Sequence, residues 1–248
     1  MTAAPLNFRL RHCLVTGSTN DDALAAAAAG ETSGLVIYAD RQTAGRGRRG
    51  RSWVSPDGNL YASVLLQAED HARAGLYCFV VALALADALG SYVGSERVKL
   101  KWPNDVLIDG AKIAGILLET AATETGVAVV AGIGVNLGPY PEDVRYPATS
   151  LQALGFAAHR LQILPFLQLV LTAINRYHLM LCDQGFPAIR EHWLVRAAGV
   201  GEAITVRLPD SELEGRFNSI GDDGCLLLEQ QSGKLSSIAV GDVFFQRR

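Results

Sequence analysis

Gly45-Arg46-Gly47-Arg48-Arg49-Gly50-Arg51 packs four fixed positive charges into seven residues, and Ser52-Trp53 follows directly. The three glycines leave backbone N–H groups accessible, while guanidinium forks match the geometry of phosphate and carboxylate oxygens. Such a segment suits the wrapping of a phosphate-bearing small molecule or of an RNA backbone; a solvated basic loop is the bland alternative. Its spacing is not that of a P-loop. Arginines this dense would repel one another in a helical turn, which argues against a dinucleotide-binding glycine motif. Like charges and glycines resist packing, so the segment should be mobile when empty and ordered by an anion.

Three further segments carry candidate chemistry. In Lys101-Trp102-Pro103-Asn104-Asp105 the Trp-Pro pair stops helix continuation, so Asn104 and Asp105 fall at a strand end, facing a ligand or simply forming an Asx turn. In Lys112-Ile113-Ala114-Gly115-Ile116-Leu117-Leu118-Glu119 one lysine enters an apolar strand whose glycine would admit something flat. That lysine either snorkels to solvent or points into a pocket. Gly132-Ile133-Gly134-Val135-Asn136 repeats the pattern, two glycines in a strand followed by an amide side chain.

The elements that must position these groups are short and mixed. Residues 18–29 read as a helix started by Ser18 or Thr19, with Asp21 and Asp22 suited to its positive first turn and Gly30 placed to stop it. Strands are predicted over Leu35–Ala39, Leu60–Leu66, Val98–Lys101, Val106–Ile108, Ile113–Glu119 and Val127–Asn136, with Asp109-Gly110 as a tight turn. His71–Leu89 reads as a buried helix, and Phe166–Cys182 and Phe186–Ala197 as two more. After Gly199 the pattern changes to five short apolar stretches, Ala203–Leu208, Leu213–Ile220, Cys225–Glu229, Leu235–Ala239 and Val243–Phe245, separated by turn signals. These predict a small all-β barrel. The boundary is placed near Ala198, which divides the chain into residues 1–198 and 199–248.

Composition narrows the class. The chain has 248 residues, of which 49% are hydrophobic, and 22 Lys and Arg face 25 Asp and Glu for a net charge of −3. Disorder and nucleic-acid binding over the whole surface are disfavoured, although a local basic patch is compatible with this balance. No apolar run reaches membrane-spanning length, since Leu76–Leu89 is short and interrupted by Asp87. The N-terminus lacks the apolar core of a secretion signal. Cys13, Cys78, Cys182 and Cys225 lie far apart, matching neither a zinc site nor a disulfide scaffold, and the five histidines show no metal-binding spacing. The expectation is a soluble, cytoplasmic protein with free thiols and no membrane contact.

Taken in order, Ser18-Thr19-Asn20, Gln42-Thr43-Ala44-Gly45 through Trp53, Lys101 through Asp105, Lys112 through Glu119 and Gly132 through Asn136 resemble the biotin protein ligase family. The resemblance is close over about residues 15–140. It implies an α+β catalytic domain, class II synthetase-like, whose mostly antiparallel sheet is backed by helices, followed by a small SH3-like β-barrel. It also implies two half-reactions: biotin and ATP give biotinyl-5′-AMP and pyrophosphate, and biotin then passes to one lysine of a biotin carboxyl carrier protein. By the match, Lys112 is the catalytic cation between the biotin carboxylate and the α-phosphate. Ser18, Thr19 and Gln42 read the biotin head group, while Gly45, Arg46, Gly115 and Gly132 line its slot. Arg48 and Arg51 hold phosphate oxygens, and Trp53, Asn104 and Asn136 face the adenylate. Mg2+ is expected through the phosphates.

Two departures from the family's pattern matter. Some relatives carry an N-terminal DNA-binding domain, for which the residues before Ser18 leave no room, so a single-function ligase without DNA binding is expected. Gly17 also stands where many relatives have an acidic residue. Monomer and weak homodimer both remain compatible. Asp105 is either a base toward the acceptor lysine or a strut for Asn104. The competing readings are a lipoate or octanoate ligase or transferase of the same fold, which should carry a His-bearing segment missing here, and a nucleic-acid module using Arg46–Arg51.

Overall fold

A computed structural model of the protein describes residues 4–123, 126–141 and 147–245. The first part of the chain alternates β1 (Arg9–Thr16), α1 (Thr19–Ala28), β2 (Leu35–Gln42), β3 (Leu60–Ala68) and α2 (His71–Val93). Four strands follow, β4 (Val98–Lys101), β5 (Asp105–Ile108), β6 (Ala111–Thr123) and β7 (Gly126–Val135), then α3 (Ile163–Gln184) and α4 (Phe186–Arg196). The seven strands form one sheet in the order β1-β2-β3-β7-β6-β5-β4, antiparallel throughout except for the parallel β1/β2 pair. This is the mostly antiparallel sheet backed by helices that the resemblance implied.

Strand alternation decides what each face meets. From β2 and β3, Val36, Ala62, Val64 and Leu66 pack toward α2 and α3, whereas Leu35, Ile37 and Leu65 pack with Ala23 and Ala26 of α1. Both faces of the central strands are therefore covered, which explains their nearly unbroken apolar runs. In β7, Val129, Ala131, Ile133 and Val135 belong to the α2 face, while Ala128 and Val130 belong to the α1 face. By the same period Gly132 and Gly134 lie on the α1 side, where the sheet is left without side chains.

Helix α2 is apolar on all sides and buried, as its pattern predicted. It begins at His71 as predicted and runs four residues past Leu89, to Val93. At 23 residues it is long and apolar enough to cross a membrane, contrary to the length argument from sequence, but 67% of its most apolar window is buried inside this molecule. Asp87, which was read as an interruption, instead receives Arg176 of α3 and Arg196 of α4, the latter at 2.7 Å.

Strand β1 has no counterpart in the sequence reading. Its residues are mostly exposed, so hydrophobic alternation could not mark it. Asp109 (φ 50°) and Gly110 (φ 81°) form the tight turn expected between β5 and β6, both in the left-handed region.

The C-terminal strands are β8 (Ala203–Arg207), β9 (Glu212–Ile220), β10 (Leu226–Glu229), β11 (Leu235–Ile238) and β12 (Asp242–Phe245). They form an antiparallel sheet in the order β11-β10-β9-β8-β12, with no ladder joining β11 to β12 among the described residues. The small C-terminal all-β unit expected from the turns is thus present, without full closure among the described residues. Its apolar face needs no closure, because Phe217, Ile220, Leu226 and Leu228 join the core that contains α2 and α4.

Candidate active site

One cavity of about 1160 Å3 opens on the α1 side of the large sheet and is bounded on its far side by β12. Ser18, Thr19, Gln42, Arg46, Arg48, Arg51, Trp53, Asn104, Lys112, Gly115, Gly132 and Asn136 all line it. Of the residues given a ligand role by the resemblance, Gly45 stands back from it. A Cβ at Gly45 would lie 2.6 Å from both the Trp53 carbonyl and Ser55 Oγ, so this glycine lets two loop segments touch.

A buried polar network closes one end. Ser18, Thr19 and Asn20 start α1 under the loop after β2, and each is at most 4% exposed. Gln42 Oε1 accepts from the Thr19 backbone N at 2.9 Å and from Thr19 Oγ1 at 3.2 Å, and Gln42 Nε2 donates to Ser55 Oγ at 3.1 Å. Ser63 Oγ lies 2.8 Å from Thr19 Oγ1 and 2.5 Å from Asn20 Oδ1, and donates its single proton to one of them. Asn20 Nδ2 donates to Glu119 Oε2 at 2.7 Å. Asn20, Ser63 and Glu119 thus belong to the site. Asn20 and Glu119 sat inside recognised segments without an assigned role, and Ser63 was hidden in an apolar strand.

The floor is built from glycine. A Cβ at Gly134 would come within 2.6 Å of the Trp53 ring, and one at Gly115 would lie 3.2 Å from it. The indole therefore rests against the β6–β7 backbone, so the planar group that these two strand glycines admit is the protein's own Trp53. Trp53 Nε1 is buried there without a hydrogen-bond partner among the described residues. Lys112 Nζ lies 5.3 Å from the Trp53 ring centroid, within cation–π range, and 2.5 Å from Asp105 Oδ1. Asp105 is accordingly the counter-ion of the lysine and not the strut for Asn104. Asn104 is held by its own Nδ2 donating to the Ile116 carbonyl at 2.6 Å, and Asn136 by Nδ2 donating to the Thr149 carbonyl at 3.1 Å.

In the glycine-arginine segment three of the four arginines meet carboxylates. Arg46 is bidentate to Asp21, at 2.5 and 2.8 Å, and reaches Glu119 at 2.9 and 3.0 Å. Arg49 and Arg51 both meet Asp242 of β12. The sequence argument counted repulsion among the arginines but not the carboxylates that folding brings to them. Arg48 differs from the other three. It forms no ion pair among the described residues, and Nη1 donates to the neutral Asn104 Oδ1 at 3.3 Å. Burial lowers its pKa, meaning that its charge lacks full compensation. Lys101, which the sequence reading left without a role, also lines the cavity; burial lowers its pKa, and it lies 5.8 Å from the Phe245 ring centroid. Burial pushes the Cys78 thiol up to about 12, as befits an inert thiol beneath the Pro103 carbonyl.

Positive groups over a glycine floor, beside a buried hydrogen-bonding network, can hold two anions close together next to an uncharged polar head group. The sequence matches the biotin/lipoate A/B protein ligase family over residues 15–136 and the biotin protein ligase C-terminal domain over residues 199–246. It is 43% identical to a biotin–acetyl-CoA-carboxylase ligase of Paracoccus denitrificans, over 93% of this chain and 98% of that one. A ligase of the same name from Mycobacterium tuberculosis is 36% identical over 94% of this chain and 87% of its own length. Among solved structures, the biotin protein ligase of Aquifex aeolicus in complex with biotin and ATP superposes with a TM-score of 0.78 at 25% identity, covering 97% of this chain and 99% of that one.

Proposed function

The chain belongs to the biotin protein ligase family, and from that premise we propose how its residues join biotin to ATP and pass it to a biotin carboxyl carrier protein. The carrying observation is that Lys112, Arg48, the Ser18–Gln42 network and the Gly115/Gly134 floor share one cavity.

In the first half-reaction the biotin carboxylate attacks the α-phosphate and pyrophosphate leaves. The nucleophile is ionised at neutral pH, so the barrier is the approach of an anion to a polyanion and not the removal of a proton. Lys112 stands between the two as a compact charge that Asp105 holds in place. Arg48, the arginine with no carboxylate partner among the described residues, takes phosphate oxygens, and its poor compensation favours an incoming anion. Ser18, Thr19 and Gln42 read the ureido head, Gly132 lines the slot beside Asn20, and Trp53, Asn104 and Asn136 face the adenylate. Among the described residues no group of three or more His, Cys, Asp or Glu side chains could hold a metal. Mg2+ is expected to come with the nucleotide, bound mainly through its phosphates.

In the second half-reaction the neutral amine of the acceptor lysine attacks the mixed anhydride and AMP leaves. Residues 1–198 form the catalytic unit in this reading, and residues 199–248 supply β12 at the cavity mouth. The free cysteines suit the reducing cytoplasm. Labelled biotin should enter an apo carrier domain only with ATP, and lipoate in its place should release no pyrophosphate; lipoate turnover comparable with that of biotin would refute the assignment.

A further inference from the structure

We propose that Asp242, the first residue of β12, is the latch that holds the glycine-arginine segment closed over the cavity, a positioning residue that sets how well the activated intermediate is retained. The inference rests on the ligase reading above and goes beyond it, because it gives the C-terminal sheet a defined part in the reaction.

Asp242 lines the cavity with its side chain 19% exposed. An uncovered carboxylate there would repel the polyphosphate that Arg48 and Lys112 attract. It is not uncovered. Arg51 Nη2 and Arg49 Nη1 both bond its Oδ2, the latter at 3.5 Å. Burial pushes the Asp242 carboxyl up, and the two guanidinium groups more than offset it, so the group sits below the ordinary carboxylate range.

The other end of the segment is tied separately, through Arg46 to Asp21 and Glu119 of the main body. Residues 46–51 therefore bridge the large sheet and the C-terminal sheet, with one ionic anchor on each. Gly50, at φ 70°, and Arg49, at φ 57°, lie next to the β12 anchor and give the backbone a place to pivot. Breaking the Asp242 anchor should open the mouth on that side while leaving Arg48 on Asn104 and Lys112 on Asp105. This assigns Arg51 to closure and not to phosphate.

The test uses the full chain and measures three things: adenylate released to solution against biotin transferred to carrier, the KM for ATP, and the Kd for biotin. Asp242→Asn should raise the released fraction several-fold and leave the biotin Kd within about two-fold. Arg51→Gln should leak similarly, and the double variant should leak no more than either single, since both remove one contact. Asp242→Glu, which keeps the charge, should restore much of the retention and shows that any loss in Asp242→Asn is not misfolding. Wild-type retention in Asp242→Asn, additive effects in the double variant, or a fall in the ATP KM on neutralising Asp242 would each overturn the latch. Failure of the unmodified protein to form any adenylate would instead overturn the ligase reading.

Discussion

At the scale of single residues, the site divides labour among cations by what each is paired with. Lys112 is a point charge held by Asp105, 2.5 Å away, under the Trp53 ring. Lys112→Ala should slow adenylate formation by about 10²–10³-fold, by analogy with the loss of one preorganised oxyanion donor. Lys112→Arg should not rescue it, because a planar fork does not fit where an ammonium sits between two anions. Pyrophosphate release in single turnover reads both variants, and full activity in Lys112→Arg would remove the reason for a lysine here. Arg48 has the neutral Asn104 as its partner. Arg48→Gly should still bind biotin yet let the adenylate escape, seen as biotin on bystander lysines; retention equal to wild type would contradict its role.

At the scale of elements, the strands act through what they lack as much as what they carry. Gly134 on β7 lets the Trp53 ring rest on the sheet, and a methyl there would fall 2.6 Å from a ring carbon. Gly134→Ala should displace the indole, blue- or red-shift tryptophan emission and weaken ATP binding more than global stability; unchanged emission and affinity would mean that the contact is incidental. On the opposite side of the sheet, α2 and α3 are joined by Tyr77 Oη and His178 Nδ1 at 3.0 Å. Burial lowers the His178 pKa from its ordinary value of 6.5, while Asp183 opposes that shift. The folded state therefore binds this proton less readily than the unfolded chain. Stability from the neutral ring is fully present above about pH 6.5 and is lost as pH falls through the lowered value. Melting temperature should drop between pH 7.5 and 5.5, and His178→Gln should flatten that part of the profile. An equal drop in the variant would assign the pH dependence to other groups.

At the scale of the molecule, the C-terminal sheet is not a satellite on a tether. Ile204, Val206, Phe217, Leu226 and Val243 belong to the same apolar core as α2 and α4, and Trp102 Nε1 donates to the Gly224 carbonyl at 3.1 Å. A shared core implies shared unfolding. Denaturation should therefore give one transition, with coincident tryptophan fluorescence and far-UV circular dichroism, since Trp53, Trp102 and Trp193 all lie before residue 199. Two separated transitions would show that the two sheets fold independently.

Much of the site was legible because its chemistry needs particular residue types at short range. Arginine-glycine alternation, Trp-Pro-Asn-Asp and paired strand glycines are local patterns, and they identified the family and the cations before any fold was known. Buried strands and α2 were legible from their apolar runs, whereas exposed β1 carried no such signal. What the chain alone could not show were pairings between distant residues: Arg46 with Asp21 and Glu119, Arg51 with Asp242, Asn20 with Ser63, Lys112 with Asp105. Attraction between charges falls with distance through space, while spacing along the chain says little about it once strands are reordered into a sheet. Residue types decided that polyanions would be handled here, and the tertiary fold decided which arginines are already spoken for.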